Sequence, residues 1–317
     1  MDLSIVVPVF NEEENVEPLI GEIRSTLARI NKSYEIITVD DGSTDRTFAV
    51  LSRLHRCAPS LNVIRLKRNF GQTAALAAGL AYASGEVVVL MDGDGQNDPA
   101  DIPALLAKIE EGNDMVAGWR FNRQDPFLSR RLPSMIANRL ISWATMVKLH
   151  DYGCTLKVMR RDIAKGLRLY GEMHRFIPAI AYERGAQIAE YKVNHRPRLR
   201  GASKYGITRT LRVVLDLLTV KFLTSYSTRP AHVFGPIGAV SGGTGFLIAL
   251  YLTLQKFVYD VDIGSRPLLL LSILLIFTGF QFVTMGLLGE MLARTYHESQ
   301  DRAVYVIGEV LRSGGHA

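Results

Sequence analysis

Residues 86–96, Glu-Val-Val-Val-Leu-Met-Asp-Gly-Asp-Gly-Gln, join a run of apolar β-forming residues to a loop with two carboxylates and an amide. Such a short, unbroken apolar run is typical of a strand that is buried on both faces of a parallel sheet. Ligands of these sheets bind beyond the carboxyl ends of the strands. Because Asp92, Asp94 and Gln96 follow the run directly, the sequence predicts a binding site at this strand end.

Three further apolar runs precede this one, and helix-like segments separate them. The runs cover residues 3–10, 34–39 and 61–66, and an alanine-rich helix is predicted over 74–83. Strands that alternate with helices indicate an α/β fold with a mostly parallel sheet and right-handed crossovers. Asn11, placed before three glutamates, is predicted to cap a helix start. Gly71 and Gln72 are predicted to shape and cap the alanine-rich helix rather than to contact a ligand.

The loop after the fourth run offers oxygen ligands only. Asp92 and Asp94 stand at alternate positions of a strand end, where two carboxylates can share one divalent cation. Mg²⁺ and Mn²⁺ prefer oxygen ligands, and few protein groups often hold them together with substrate phosphates. Asp and Gly also form turns, so the motif taken alone allows a plain turn as well.

Two more motifs stand at the ends of the first and second runs. They are Pro8-Val9-Phe10-Asn11-Glu12 and Val39-Asp40-Asp41-Gly42-Ser43-Thr44-Asp45. With the Asp92 motif, and in this order, the chain resembles the family 2 glycosyltransferases over essentially its whole length. The resemblance is strongest to the polyprenyl-phosphate branch, which includes dolichol-phosphate mannose synthases and bacterial undecaprenyl-phosphate glucosyl- and aminoarabinosyl-type transferases. It implies a nucleotide-sugar-binding, Rossmann-like domain of the GT-A type.

The resemblance implies nucleotide, metal and phosphate roles for matching residues. The first nucleotide-binding loop is matched by Pro8, Phe10 and Glu12, and relatives often have Tyr where Phe10 stands. The acidic pair near the base and ribose is matched by Asp40 and Asp41, which also suit a strand-to-helix turn. The Mg²⁺ or Mn²⁺ and diphosphate site is matched by Asp92, Asp94 and Gln96.

A second set of matching residues is implied to hold phosphates. Arg120, Arg130 and Ser134 match a phosphate-gripping region, and Arg200 and Lys204 match a basic loop that closes over the donor or acceptor phosphate. Arginine suits this role because its planar fork donates two hydrogen bonds to phosphate oxygens. A solvated helix start is the other interpretation of Arg130. The catalytic set implied by the resemblance is Asp92, Asp94, Arg130, Ser134 and Lys204.

The motif Asp151-Tyr152-Gly153-Cys154 resembles one that faces the sugar pocket. Asp151 is predicted either to contact a sugar hydroxyl or to pair with Arg160 or Arg161. Cys154 is predicted to be a packed small residue, because the expected chemistry needs no thiol nucleophile.

Two uncharged stretches near the C-terminus are long enough to cross a bilayer. They cover residues 233–254 and 268–288, and about 20 apolar residues span a hydrocarbon core of roughly 30 Å. They predict a transmembrane hairpin, with a pair of buried core helices as the alternative. The protein is therefore predicted to be an integral membrane protein, with the bacterial inner membrane favoured.

The chain is basic between residues 120 and 229, just before the first apolar stretch. This region is predicted to contact anionic lipid headgroups, with a generic basic surface or a nucleic-acid patch as alternatives, although no nucleic-acid motif accompanies it. Residues 208–223 predict an amphipathic helix in the membrane interface. The basic residues that flank the hairpin place the catalytic domain and both termini in the cytoplasm.

These patterns predict four segments: a catalytic domain over 1–165, a basic interface region over 166–231, the hairpin over 232–292 and a cytoplasmic tail over 293–317. Every motif precedes His232, so donor binding is expected to survive truncation there. The predicted partners are a nucleotide sugar, a polyprenyl phosphate and the membrane, without nucleic acid. The sequence leaves open whether the protein forms a homo-oligomer.

The resemblance implies an inverting, metal-dependent glycosyltransferase that moves a hexose, with glucose favoured, from a UDP-sugar to an undecaprenyl-type phosphate. The alternatives are transfer of mannose from GDP-mannose and transfer of an aminoarabinose-type sugar. A processive polysaccharide synthase is less favoured because the chain has no Gln-x-x-Arg-Trp element. A non-enzymatic scaffold is less favoured because Asp92 and Asp94 are both present.

Overall fold

The computed structural model describes residues 1–121, 142, 147–169, 173–196, 231–259, 262–264, 266–299 and 304–312. The chain forms two compact units. The first contains Met1–Leu217 and Ala303–Ala317, and the second contains Leu218–Arg302.

In the described part of the chain, the first unit is built on one eight-stranded sheet. Its strands are β1 (Leu3–Val9), β2 (Tyr34–Asp40), β3 (Leu61–Leu66), β4 (Val87–Leu90), β5 (Met115–Arg120), β6 (Lys157–Arg160), β7 (Ile188–Val193) and β8 (Ile307–Leu311). Their spatial order is β7-β5-β6-β4-β1-β2-β3-β8. β1 pairs in parallel with β2 and β4, β2 with β3, and β5 with β7, whereas β6 and β8 are antiparallel to their neighbours.

Helices connect the strands and cover the sheet. They are α1 (Val16–Leu27), α2 (Thr47–Cys57), α3 (Gln72–Tyr82), α4 (Ile102–Glu110), α5 (Arg161–Gly166) and α6 (Ile177–Glu183), with 3₁₀ turns at Pro99–Asp101 and Met173–Phe176. The second unit contains α7 (Ala231–Tyr259) and α8 (Pro267–Ser299). The predicted α/β fold with a mostly parallel sheet is confirmed.

The core forms where apolar helix faces meet fully buried strands. All seven residues of β1 are buried. α1 buries Val16, Leu19, Ile20, Ile23 and Leu27, a spacing that forms one apolar stripe on a helix. α3 is rich in alanine and comes so close to the sheet that a Cβ on Gly79 would lie 2.3 Å from Val6 Cγ1.

The first helix does not start where the sequence predicted. α1 begins at Val16, and Asn11 lies in a loop with a φ of 55°. Asn11 Oδ1 accepts a hydrogen bond from the backbone N–H of Thr44 at 2.8 Å. The prediction that Asn11 caps the helix is therefore wrong, because its side chain instead joins the loops that follow β1 and β2.

Two strands lie beyond the predicted catalytic segment. β7 pairs with β5 although it follows residue 165, and β8 pairs with β3 although it lies in the predicted tail. The sheet thus includes residues from both sides of the helical hairpin in the sequence. The predicted amphipathic helix over 208–223 lies wholly outside the described residues.

Small residues let the two long helices pack closely. A Cβ on Gly279 would lie 2.6 Å from Gly238 O and from Gly242 N, so only hydrogen fits there. Ser241 Oγ donates a hydrogen bond to Leu275 O at 3.1 Å. Close backbone approach at small residues is typical of helix pairs in membranes.

Both long helices contain candidate membrane spans. The spans are Phe234–Tyr259 and Pro267–Gly289, and only 17% and 11% of their apolar windows are buried. Large side chains such as Phe257 and Leu270 are exposed along them. A pair of core helices would bury these side chains, so the exposure favours a hairpin that could cross a membrane over the alternative of buried core helices.

Glu35 ties three segments together at the amino-terminal end of the sheet. Its Oε1 accepts hydrogen bonds from Ser4 Oγ at 2.7 Å and Ser84 Oγ at 2.6 Å, and its Oε2 accepts one from Asn62 Nδ2 at 3.0 Å. Burial acts to raise the pKa of Glu35, but the hydrogen bonds from Ser84 and Ser4 outweigh it, so the pKa lies below the ordinary value of 4.5.

We expect Glu35→Gln to lower the free energy of unfolding by about 1–3 kcal/mol, because an amide cannot accept all these donors. A carboxyl whose pKa is lowered by folding stabilises the protein above its unfolded pKa, and this stabilisation is lost as the pH falls through the folded pKa. The loss of wild-type stability below about pH 4.5 should therefore be smaller in Glu35→Gln. Denaturant unfolding followed by circular dichroism measures both effects. Equal stability of the two proteins at pH 7 would contradict the assigned role.

The helix contact at Gly279 predicts a second effect. Gly279→Leu should destabilise the hairpin because it forces the helices apart, and overpacking of this kind costs on the order of 1–3 kcal/mol. Gly243→Leu is the matched control, since nothing lies within 4 Å of a Cβ added there. Thermal unfolding of detergent-solubilised protein should show a lower midpoint only for Gly279→Leu. Equal midpoints for the two variants would rule out the contact.

Candidate active site

The parallel pairing of β1 with β2 and β4 brings three strand ends together at one edge of the sheet. The backbone N–H of Asp41 donates to Val9 O at 2.9 Å, and that of Met91 donates to Val6 O at 3.1 Å. The loops after β1, β2 and β4 therefore leave the sheet side by side. These loops carry Phe10, Asp41 and Asp92.

The loops after β1 and β2 are joined by hydrogen bonds. Asn11 N donates to Ser43 Oγ and Glu12 N donates to Thr47 Oγ1, each at 2.9 Å. Glu12 Oε2 accepts a hydrogen bond from Asn15 Nδ2. Pro8 is buried and pairs with Val39, while Phe10 is half-buried at the start of the loop. The nucleotide-binding roles of Pro8, Phe10 and Glu12 stay predictions.

The two acidic residues at the end of β2 have different environments. Asp40 is buried at 0% exposure, its Oδ1 accepts a hydrogen bond from Ser43 N at 2.9 Å, and its Oδ2 lies 3.7 Å from Arg65 Nε. Asp41 accepts hydrogen bonds from Phe70 N at 2.7 Å and Gly71 N at 2.8 Å. Burial raises the pKa of both carboxyls. Asp41 thus fixes the loop after β3, and the predicted contact of this pair with a base or ribose stays a prediction.

Gly42 is required for the close approach of these loops. Its φ is 68°, and a Cβ there would lie 2.4 Å from the carbonyl carbon of Arg68. A side chain at this position would clash with Arg68 and push the loop after β3 away from Asp41. It would also strain the backbone, because the left-handed conformation is unfavourable for residues with a side chain.

Asp92 is held on both carboxylate oxygens. Gln72 Nε2 donates to Oδ1 at 2.6 Å, and Thr155 Oγ1 donates to Oδ2. Asn97 Nδ2 donates to Thr155 Oγ1 at 3.2 Å, which leaves the hydroxyl proton of Thr155 to point at Asp92. α3, the loop after β4 and the segment before β6 therefore together set the orientation of one carboxylate.

The electrostatics of this strand end favour a cation. Burial and the neighbouring charge of Asp94 raise the pKa of Asp92 to about 6. Two close carboxylates of like charge disfavour ionisation of each other, and a divalent cation would relieve the repulsion. Asp94 Oδ1 accepts a hydrogen bond from Gln96 N at 3.1 Å, which closes the loop around the carboxylates. Among the described residues there is no cluster of three or more His, Cys, Asp and Glu side chains suited to a metal. Two carboxylates with the amide of Gln96 nevertheless form an oxygen donor set of the kind that Mg²⁺ and Mn²⁺ prefer.

Arg120 forms an ion pair with Asp151. Arg120 Nε donates to Asp151 Oδ2 at 2.6 Å, and the Nη2 donates to Oδ1 at 2.9 Å. Burial acts to lower the pKa of Arg120, but the hydrogen bonds and charge of Asp151 outweigh it and raise the pKa. The predicted pairing of Asp151 with Arg160 or Arg161 is therefore wrong, because Asp151 pairs with Arg120 at the end of β5. Arg160 lies against Asp114 instead, and Arg161 donates to Gly85 O. The phosphate-binding role of Arg120 stays a prediction.

Lys157 is a buried basic residue whose charge interacts with Asp151 and Asp92. It is 2% exposed and donates a hydrogen bond to Cys154 O, and burial lowers its pKa. Cys154 is buried, and burial raises the pKa of its thiol to about 11. Such a thiol is almost entirely protonated near neutral pH, so the buried Cys154 is a packing residue as predicted.

Four predicted site residues cannot be placed. Arg130, Ser134, Arg200 and Lys204 lie outside the described residues. Among the described residues, Asp92, Asp94 and Gln96 in the loop after β4 lie at the same edge of the sheet as Asp40 and Asp41 at the end of β2. The predicted phosphate-binding residues that complete the set remain predictions.

The family of the chain follows from the order of these loops together with a match to known sequences. The family model described as Glycosyl transferase family 2 matches residues 4–168, which is the segment from β1 to just beyond α5. The chain belongs to this family. The resemblance stated from the motifs alone is thereby confirmed.

Curated relatives match almost the whole chain. The dodecaprenyl-phosphate galacturonate synthase of Rhizobium johnstonii is 45% identical over 314 residues, covering 98% of this chain and 93% of the relative. The undecaprenyl-phosphate 4-deoxy-4-formamido-L-arabinose transferase of Shewanella sediminis is 36% identical over 312 residues, covering 98% and 92%. These relatives come from the polyprenyl-phosphate branch that the motifs indicated.

Solved structures support the fold. The glucosyl-3-phosphoglycerate synthase of Mycobacterium tuberculosis, in complex with Mn²⁺ and uridine-diphosphate-glucose, aligns with a TM-score of 0.55 and 22% identity. The alignment covers 69% of this chain and 78% of that chain. At this identity the likeness shows a shared fold, which confirms the predicted GT-A-type architecture.

Sequence reasoning missed the residues that hold or surround Asp92. Gln72 was predicted to shape a helix start, and Thr155, Asn97 and Lys157 were not singled out. Their positions carried a signal, because Gln72 follows a strand end and Thr155 and Lys157 follow the motif that starts at Asp151. What the sequence does not show is that these segments meet at Asp92.

The hydrogen bond from Thr155 can be tested with a pair of variants. On the predicted roles of this loop in binding UDP and Mn²⁺, Thr155→Val should weaken Mn²⁺-dependent binding of UDP about tenfold, roughly 1.4 kcal/mol, because it removes the hydroxyl with little change of shape. Thr155→Ser keeps the hydroxyl and should bind nearly as wild type. Calorimetric titration with UDP, with and without Mn²⁺, separates the two. Equal affinities for Thr155→Val and wild type would mean that Asp92 does not need this donor.

Proposed function

We propose that the protein transfers a sugar from a UDP-sugar to a polyprenyl phosphate with inversion at the anomeric carbon. The observation that carries the proposal is the Asp92–Asp94 loop, with Asp92 fixed on both oxygens at the strand edge where ligands of this fold bind. The two candidate membrane spans provide a reason for a lipid acceptor. The named activities of the relatives, which attach sugars to dodecaprenyl or undecaprenyl phosphate, support the same acceptor class.

In this proposal Asp92, Asp94 and Gln96 hold a Mg²⁺ or Mn²⁺ ion. When bound, the ion would act as a Lewis acid that stabilises negative charge on the departing nucleotide diphosphate. Gln72 and Thr155 keep Asp92 in one orientation, so no reorientation of that carboxylate is needed during the reaction. Asp40 and Asp41 fix the loops that would surround the nucleoside, and we propose contacts to it from Pro8, Phe10 and Glu12.

The acceptor phosphate makes a strong general base unnecessary. A phosphate monoester oxygen is ionised near neutral pH, so it can attack the anomeric carbon as the bond to the diphosphate breaks. A hydroxyl acceptor would need a group to remove its proton. The work of the enzyme is then alignment of the two phosphates and electrostatic stabilisation. Arg120, Arg130, Ser134, Arg200 and Lys204 are the residues that we propose to share this work.

The identity of the sugar is the finer part of the proposal. The sequence favoured glucose, with mannose from GDP-mannose and an aminoarabinose-type sugar as alternatives. The relative at 45% identity is named for galacturonate and the one at 36% for 4-deoxy-4-formamido-L-arabinose. Because the first of these shares more of its sequence with this chain, we propose a UDP-hexuronate as the first donor to test.

The cellular arrangement is proposed on the hairpin and on the flanking charges. The hairpin would anchor the protein in a bacterial inner membrane, with the catalytic unit and both termini in the cytoplasm. The basic region between residues 120 and 229 would contact anionic headgroups through residues outside the sheet. We keep the functional division into catalytic, interface and hairpin segments, with β7 and β8 added to the catalytic sheet.

A donor and acceptor screen tests the proposed function directly. Purified full-length protein with Mn²⁺ should transfer sugar to a short polyprenyl phosphate, with UDP-galacturonate preferred over UDP-glucose, the formamido-arabinose donor and GDP-mannose. The unphosphorylated polyprenol should be inert because it lacks the ionised oxygen. Mass spectrometry of the lipid product measures both points. Efficient glycosylation of the free alcohol would overturn the phosphate-nucleophile mechanism.

The metal assignment predicts the effect of a second change. Asp94→Asn should reduce turnover by at least about a hundredfold, consistent with about 2.7 kcal/mol lost from transition-state stabilisation. Its thermal midpoint should stay close to that of wild type, because Asp94 is half-buried at a strand end rather than packed in the core. Glu111→Gln, in an exposed ion pair with Lys108, is the matched control. Near-normal turnover of Asp94→Asn at saturating Mn²⁺ would remove the metal-site assignment.

A further inference from the structure

The last described segment of the chain returns to the catalytic sheet after the helical hairpin. β8 pairs antiparallel with β3, with Val63 opposite Leu311, Ile64 opposite Val310 and Leu66 opposite Ile307. A register shift lies between Arg65 and Leu66, where β3 approaches its carboxyl end. The pairing therefore reaches the edge of the sheet that carries the candidate site.

The contact continues from β8 into the loop after β3. The backbone N–H of Lys67 donates to Val306 O at 3.0 Å. We call residues 67–71, which follow β3, the donor loop, after the sugar donor of the proposed function. The backbone N–H groups of Phe70 and Gly71 in this loop donate hydrogen bonds to the Asp41 carboxylate. The donor loop is thus fixed at both ends, by the tail at Lys67 and by Asp41 at Phe70 and Gly71.

β8 contributes little to the hydrophobic core. Gly308, Glu309 and Val310 are exposed, and only Ile307 and Leu311 are half-buried. What the strand supplies is mainly backbone hydrogen bonding to the edge of β3. Loss of such an edge strand should therefore disturb the position of the donor loop more than the stability of the whole unit.

β8 also forms one wall of a cavity at this edge. The cavity has a volume of about 340 Å³ and is lined by Gly42, Ser43, Arg65, Leu66, Lys67, Gly308 and Glu309. Its lining joins the loop after β2, the start of the donor loop and the tail strand. The lining includes two basic residues, Arg65 and Lys67, and one acidic residue, Glu309.

We infer that β8, which follows the hairpin in the sequence, is a positioning element of the donor site. The strand holds the carboxyl end of β3 and the donor loop in the conformation that receives the nucleotide. The inference rests on the proposed function. It also replaces the expectation that truncation before His232 spares donor binding, because that truncation removes β8.

The test compares full-length protein with a chain that ends at Arg302, which keeps the hairpin and lacks β8. UDP with Mn²⁺ is the probe, measured by calorimetry in detergent. We expect the truncation to raise the Kd for UDP at least about tenfold while the thermal midpoint falls by only a few degrees, within the range of small stability changes. If the full-length protein itself fails to bind UDP, the proposed donor class is wrong, which is a separate outcome from failure of this inference.

A peptide supplied in trans separates positioning from general damage. The peptide 304–312, Val-Tyr-Val-Ile-Gly-Glu-Val-Leu-Arg, should add to the free edge of β3 and restore UDP affinity to the truncated protein. It should act at about 1 mM, the scale of effective concentration that a short linker provides. The same peptide with Gly308→Pro and Val310→Pro is the matched control, because proline disrupts strand pairing.

A full-length variant covers the case in which the truncated protein aggregates through its exposed edge. Gly308→Pro with Val310→Pro in the intact chain should fold cooperatively and bind UDP about tenfold more weakly than wild type. Wild-type UDP affinity in either folded variant would overturn the inference. Loss of cooperative unfolding in both variants would also overturn it, since β8 would then be needed for the stability of the whole unit.

Discussion

The parallel pairing of β1 with β2 on one side and β4 on the other is the constraint on which the rest of the site depends. Parallel strands end at the same edge, so the loops that carry Phe10, Asp41 and Asp92 must leave the sheet together. Each loop is then fixed by its neighbours. The loop after β1 bonds to the loop after β2, and Asp41 bonds to the donor loop. An acidic edge built this way is preorganised, because its carboxylates are already held by protein groups.

Preorganisation of Asp92 has an electrostatic consequence. Its burial next to Asp94 disfavours two negative charges, and the pKa of about 6 expresses that cost. Gln72 and Thr155 offset part of the cost by donating to the charged form. A divalent cation would offset more of it and would be attracted to this strand end for the same reason. The buried Lys157 and the Arg120–Asp151 pair complete a compact set of charges around the strand end.

Much of the fold could be predicted from the sequence because it depends on local patterns. β3 was predicted with its bounds, and β1, β2 and β4 within one residue at each end. The candidate metal loop was predicted for the same reason, since a carboxylate pair directly after an apolar run is a local signal. The helix over 74–83 differs from α3 by two residues at its start and one at its end.

The errors arose where contacts are distant in the sequence. Asn11 had a local reason to cap a helix, but its side chain instead accepts a hydrogen bond from Thr44 N, in the loop after β2. Asp151 had two arginines near it in sequence, but Arg120 reaches it across the sheet. β8 has a plain strand pattern, but only the fold shows that the edge of β3 is its partner.

The most direct test of the proposed site is an anomalous-scattering map of full-length protein with Mn²⁺ and UDP. The account predicts one Mn²⁺ ion within about 2.2 Å of an Asp94 oxygen, a typical distance for such small divalent cations, with Thr155 still hydrogen-bonded to Asp92. A Mn²⁺ ion bound away from Asp92 and Asp94, or UDP bound at another edge of the sheet, would contradict it.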